Sequence, residues 1–126
     1  MEKPEKNRQF ILDFFQRLNC SEEKSQLLSG YILDPLLLEH FRFVETVIPQ
    51  YKIMVDEITA ESQRVIVRAR FVGFPDEAFN ILKKIEIPFA MGYHIKNGKI
   101  INHWLITDKL AILEQLGLEK PISHIH

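Results

Sequence analysis

The chain has a single cysteine, Cys20, in 126 residues, so no intrachain disulfide can form and packing alone must hold the fold. A lone thiol suits a reducing compartment, and a cytoplasmic location is the expectation. An excess of positive charge is also missing. Lys and Arg number 16 against 17 Asp and Glu, the formal net charge is -1, and the basic residues are spread along the chain. Nucleic-acid binding by phosphate neutralisation would need a basic patch, so it is not expected. No apolar run approaches the roughly 20 residues that cross a bilayer. The opening "MEKPEKNRQF" is polar and carries acids, unlike a signal peptide. Gly-rich phosphate loops, serine nucleophile elbows and His-Glu-x-x-His helices are absent, so neither a cofactor nor a metal is expected.

What is present is ordinary core material. Hydrophobic residues make up 46% and charged residues 26%, enough for one domain spanning residues 1–126. "NRQFILDFFQRLN" spaces Phe10, Ile11, Phe14, Phe15 and Leu18 as one helical stripe. Ser21 then reads as the cap of a second helix, "EEKSQLLSGYI", with two acids in its first turn. Gly30 and Asp34-Pro35 close that helix, and "PLLLEHFRFVETVI" reads as a third between Pro35 and Pro49.

After Pro49 the period changes from helical to alternating. "KIMVDEITAESQRVIVRARFVGF" reads as two strands meeting near residues 61–63, with Val65, Val67, Ala69 and Phe71 on one face. "PDEAFNI" is a short connection with helical character. "KKIEIPFAMGYHIK" is a third strand interrupted by Pro88, and "KIINHWLIT" is a fourth, joined through Asn97-Gly98. Asp108 or Thr107 caps a last helix that stops at Gly117. Helices, a strand meander and one more helix make an α+β fold with an antiparallel sheet.

Four pieces in this order, "ILDFFQRLN", "YKIMVDEITAESQRVIVRARFVG", "GYHIKNGKIINHW" and "TDKLAILEQLG", resemble the SnoaL-like polyketide cyclases of the nuclear-transport-factor-two-like superfamily. The resemblance implies a cystatin-like cone: a curved antiparallel sheet packed on N-terminal helices, enclosing an apolar pocket. It also implies a homodimer joined through the outer face of the sheet. Cyclases of this kind close a ring by an aldol step without metal or nucleotide, using a pocket aspartate helped by a histidine. The aspartate position, directly after His103-Trp104, is Leu105 here, and the helper position is Met91. The usual catalytic aspartate is therefore lacking, and the segment after Phe74 is shorter than in the family.

Two hairpin registers are open. A three-residue loop with a glycine bulge would pair Ile95 with Lys99 and place Met91 opposite His103. Tyr93, Ile101 and Leu105 would then share that face. A two-residue Asn97-Gly98 turn would pair Lys96 with Lys99 and put His103 beside His94 on the other face. The bulge register is preferred, because it keeps the family's two catalytic positions together.

The expected function is binding of a small, mostly apolar molecule by Met91, Tyr93, His103 and Leu105, with Phe10 and Phe14 closing the far side. Arg68 is added as a candidate for an anionic group, although it and Arg70 more commonly pair with strand acids such as Asp56 or Glu86. One alternative is a cofactor-independent cyclase, isomerase or hydratase, with His103 as acid/base and Tyr93 as hydrogen-bond donor. Another is a dimerising protein-interaction module. Trp104 reads as sheet packing, Asp108 as a cap, and Cys20 as no nucleophile. His124 and His126 could make only a surface metal contact.

Overall fold

The computed structural model describes residues 3–118; His124 and His126 lie outside them. Four helices and one sheet appear in the expected order: α1 (Lys3–Cys20), α2 (Lys24–Tyr31), α3 (Pro35–Val47), β1 (Lys52–Glu61), β2 (Arg64–Gly73), β3 (Ile85–Lys96), β4 (Lys99–Thr107) and α4 (Lys109–Gln115). A single 3-10 turn, Glu77–Phe79, sits between β2 and β3 where the helical connection was expected. The sheet is an antiparallel meander in the order β1-β2-β3-β4. Among the described residues, no helix is long and apolar enough to cross a membrane.

The alternating faces hold. Val65, Val67, Ala69 and Phe71 are buried, as are Met91, Tyr93 and Ile95 on β3. Helix α1 lays its stripe of Ile11, Phe14, Phe15 and Leu18 on this inner face. Side-chain amides pin it at both ends: Asn19 bonds the backbone of Ile53 with its oxygen and its nitrogen, and Asn7 reaches the carbonyl of Ser62. Helix α3 adds Leu37, Phe41, Val44 and Val47, spaced as one helical face.

Two local readings change. Ser21 does not cap α2; its hydroxyl accepts from the Glu23 N–H, and the two acids precede the helix, which starts at Lys24. Lys24 does the capping work for α1 instead. It is 3% exposed, and its ammonium donates to the carbonyl of Leu18, which also accepts from the Ser21 N–H, and to the carbonyl of Ser21. Burial pulls its pKa below the ordinary lysine value, partly opposed by Glu45. Pro88 does not interrupt β3 either. Its carbonyl receives the Thr107 hydroxyl at 2.9 Å, so its missing N–H also faces β4, just past the last β3–β4 pair, Phe89 with Thr107. No ladder bond is lost there.

The third hairpin combines features of both registers considered. Asn97 and Gly98 have φ of 52° and 72° and form a two-residue turn, with Lys96 opposite Lys99. A bulge at Ile101 then shifts the pairing, so Tyr93 lies opposite His103 and Met91 opposite Leu105. The preferred pairing of Met91 with His103 is thus displaced by two residues. His103 still points inward, because the bulge reverses the alternation that a plain two-residue turn would impose. Ile100, not Ile101, takes the buried position beyond it.

The chain's last turn follows local chemistry. Asp108 accepts from the Ala111 N–H at 3.0 Å as the cap of α4. Gly117, at φ 71°, donates to Glu114, and Leu118 donates to Leu113, which closes the helix with two reverse bonds.

Candidate functional site

Between α3, the inner face of β2–β4 and α4 lies a cavity of about 450 Å³. Its walls are apolar: Phe41 and Val44 from α3, Phe71 from β2, Phe89 and Met91 from β3, Leu105 from β4 and Ile112 from α4, among others. Among the described residues, only His40, Thr107 and Lys109 bring polar side-chain atoms to it. Phe43 and Leu113 also line it, and both are exposed, so they lie at its mouth. Met91 and Leu105, the positions where the resemblance would put a histidine and an aspartate, face each other across one rung and form part of the dry wall.

A polar cluster abuts this wall. The exit of α2 is tied to β4: Ile32 bridges Ile100, and the Leu33 N–H donates to the Ile100 carbonyl at 2.9 Å. That tie brings Asp34, at the start of α3, against β4 just where the Ile101 bulge turns His103 inward. His103 Nδ1 lies 2.6 Å from Asp34 Oδ2, and the two side chains are only 4% and 11% exposed. The other oxygen, Asp34 Oδ1, accepts from the N–H groups of Leu36 at 3.1 Å and Leu37 at 3.4 Å, capping α3.

Burial alone would raise the Asp34 pKa. The hydrogen bond and charge of His103, with the two backbone donors, outweigh it and hold the carboxyl below its ordinary value. Asp34 is then an acceptor-only carboxylate at neutral pH, so the shared proton belongs to His103 Nδ1. The His103 ring meets His40 edge to face, with centroids 5.1 Å apart. His40 is the member of the cluster that reaches the cavity wall.

The expected site residues therefore separate. Met91 and Leu105 line the cavity; Tyr93, His103, Phe10 and Phe14 do not. Tyr93 is buried against Phe15, and its hydroxyl has no hydrogen-bond partner among the described residues. Burial, with a smaller effect from nearby Tyr51, pushes its phenol pKa upward. Phe14 is consumed by contacts with Tyr31, Phe15 and Phe41, and Phe10 packs on Tyr31, because α2 folds across that end of α1. Arg68 faces away from the cavity and pairs with Glu57 at 2.8 Å, with Asp56 at 3.9 Å. Arg70 holds Asp56 and Glu86, as expected for strand neighbours, and these bonds raise its pKa. His94 is half-buried, with Nε2 3.3 Å from Gln63 Oε1.

Asp34 and His40 were not picked out in the sequence as site residues. The Asp34-Pro35 pair signals a helix start, but nothing local tells that its carboxylate meets a histidine 69 positions later. Among the described residues no group of His, Cys, Asp and Glu is arranged to hold a metal.

The sequence profile of the SnoaL-like polyketide cyclases matches residues 36–116. A provisionally assigned SnoaL-like polyketide cyclase from Jannaschia sp. CCS1 superposes with a TM-score of 0.72 at 15% identity, over 96% of this chain and 97% of that one. A SnoaL-like polyketide cyclase from Agrobacterium tumefaciens gives 0.67 at 19% identity, over 93% and 100%. AclR from Streptomyces galilaeus, provisionally assigned as a hydroxylase, gives 0.71 at 14% identity, over 95% and 87%. At these identities the superpositions show a shared fold. No curated protein matches the chain.

Proposed function

The chain belongs to the SnoaL-like polyketide cyclase family, and from that premise we propose that it binds a small, mostly apolar molecule in the cavity between α3, the sheet and α4, without cyclase activity. The observation that carries this reading is the cavity itself: about 450 Å³, with three polar residues among its walls. A space of that size and chemistry buries a compact ring system while offering few groups to orient it. Met91 and Leu105 on its wall are the second support, since neither side chain can transfer a proton.

Thermal unfolding with added apolar ketones tests the proposal, because a ligand that binds only the folded chain raises its melting temperature. Native mass spectrometry of the purified protein should show a co-purifying mass. Leu105→Trp, which places a large ring in the cavity, should abolish both signals. A melting temperature insensitive to every ketone, or a shift that survives Leu105→Trp, would sink the reading.

A second reading is favoured by the Asp34–His103 hydrogen bond. A carboxylate that fixes the imidazole tautomer leaves Nε2 as the basic nitrogen, as in a base oriented by a third group. In this reading the protein is a cofactor-independent isomerase or lyase, and His40 must swing aside to admit the substrate to His103, which lies behind the cavity wall. His103→Ala should then abolish turnover and leave ligand binding in place.

For the assembly, the second copy of the chain is the proposed partner. Met54, Ile66, Trp104 and Ile106 are large apolar residues left exposed on strands of the sheet. Light scattering at micromolar concentration decides between a dimer and a 14.8 kDa monomer. We place the protein in the cytoplasm, on the strength of its single exposed thiol, Cys20.

A further inference from the structure

We propose that His40 is the polar recognition group of the cavity, taking one hydrogen-bonding oxygen, a carbonyl or a hydroxyl, on an otherwise apolar ligand, with the Asp34–His103 pair as the positioning element behind it. The inference rests on the cavity-binding reading and adds to it the class of ligand.

Three polar side chains reach the wall, and two are poorly suited to the task. The Thr107 hydroxyl already donates to the Pro88 carbonyl at 2.9 Å. Lys109 is exposed, so its ammonium stays hydrated outside the apolar volume. His40 is half-buried, and neither of its ring nitrogens has a hydrogen-bond partner among the described residues. A polar group on an apolar wall without a protein partner is where a ligand gains most from supplying one.

The groups around His40 come from three elements. On α3 they are Asp34 and Glu39, on β4 His103, and on α4 Lys109. Burial, then His103, then more weakly Lys109, favour the neutral imidazole; Asp34 and Glu39 pull the other way, and the pKa ends below the ordinary value. A neutral ring offers one donor and one acceptor, which suits an uncharged oxygen. Among the described residues no carboxylate lines the cavity, so a cationic ligand would find no counter-ion among them. The His103 ring stands at 79° to His40 and limits its rotation, while Asp34 fixes His103.

Equilibrium binding of acetylnaphthalene, naphthylethanol and ethylnaphthalene to the full chain tests this directly. The three probes share shape and apolar area and differ in the oxygen. The wild type should bind an oxygenated probe up to about tenfold more tightly than the hydrocarbon, the net worth of one hydrogen bond. Whichever oxygenated probe binds more tightly identifies carbonyl or hydroxyl as the preferred group. His40→Leu should erase the preference, so that the three probes bind with equal affinity. Asp34→Asn, which retains the helix cap, should shrink the preference without lowering hydrocarbon affinity; a merely structural role would lower both.

As a readout independent of any variant, the His40 imidazole nitrogen resonances of the wild type should move further with the oxygenated probe than with the hydrocarbon, whose ring current alone acts on them. Equal affinity for all three probes, a His40 resonance moved no further by the oxygenated probe, or a preference that survives His40→Leu would each overturn the His40 assignment while leaving the cavity reading intact. Failure of the wild type to bind any of the three would overturn both.

Discussion

Removing the Asp34 side chain should be among the most damaging single changes near the site, because one carboxylate serves two structures. Oδ1 caps α3 through Leu36 and Leu37, and Oδ2 holds the buried imidazole of His103 at 2.6 Å. Losing an aspartate cap costs about 1 kcal/mol. Leaving a buried ring nitrogen unpartnered costs a further ~1–3 kcal/mol, so Asp34→Ala should lose about 2–4 kcal/mol in all. At roughly 2.1 cal/mol/K of unfolding entropy per residue, a 126-residue chain shifts by about 4 °C per kcal/mol. The melting temperature should therefore fall by about 8–16 °C. Asp34→Asn keeps a capping oxygen but turns its amide nitrogen to His103, whose ring must take the other tautomer to accept from it. It therefore keeps the cap and loses the charge-assisted bond, about 1 kcal/mol or 4 °C. The pH dependence sharpens the test. The folded Asp34 pKa lies below its unfolded value, so the carboxylate's contribution is present above the unfolded value. It fades as pH drops through the folded value. The gap between wild type and Asp34→Asn should then close as the pH falls from about 5 to about 2. Calorimetry of the three proteins across this range measures it. Equal melting temperatures for the Ala and Asn variants, or a gap undiminished at the acid end, would refute the dual role.

Two glycines give a contrast in overpacking. A Cβ at Gly73 would lie 2.5 Å from Cγ2 of Ile48, which is fully buried, so Gly73→Ala should cost about 2 kcal/mol. At Gly92 a Cβ would meet Trp104 Nε1 at 2.2 Å, but that indole is 46% exposed and can swing into water. Gly92→Ala should cost less than about 1 kcal/mol and shift the emission of the chain's one tryptophan to the red; an unmoved spectrum would refute the contact. Tyr93→Phe removes a buried hydroxyl that has no partner among the described residues, so it should be neutral or stabilising by up to about 1 kcal/mol in denaturant melts. A clear loss of stability would mean that the hydroxyl is hydrogen-bonded.

The strand faces and helix ends were legible because their causes are local. Alternation places Val65, Val67, Ala69 and Phe71 inside whatever the partner strand is. Asn97-Gly98 and Gly117 act through their own backbone, and the Asp108 side chain through an N–H three residues on. The bulge at Ile101 has no such local mark. Its counterpart is the exit of α2, where Ile32 and Leu33 join Ile100, nearly 70 positions earlier in the chain. An apolar stripe shows that Phe10 and Phe14 face the core, yet it cannot show that α2 fills that end and leaves the void beneath α3 and α4. The polar members of the site were missed for the same reason. His40 sits mid-helix, and its significance comes from His103 and Lys109 on elements that only the tertiary fold brings near.

With apolar residues at positions 91 and 105, the polar groups of the cavity lie elsewhere on its wall. Met91 and Leu105 face each other on β3 and β4, so that part of the wall is dry and lowers the local dielectric for groups elsewhere on it. In such surroundings an unpaired hydrogen-bonding group weighs more than it would in water. The titratable side chains near the cavity lie at α3 and on β4, with His40 on the wall and Asp34–His103 at its back. The Ile101 bulge makes this possible: without it His103 would face outward, Asp34 would lose its partner, and His40 would lose the ring that holds it in place. Inserting one alanine after Ile101 should therefore free α3 from β4 at the site even where the hairpin still forms, because one residue more turns His103 to the outer face. Loss of the Asp34-dependent acid limb of stability in that variant, with Asp34→Asn then adding nothing further, would establish the β4 register set by the bulge as what assembles the site. An acid limb left intact would show that His103 reaches Asp34 by another route.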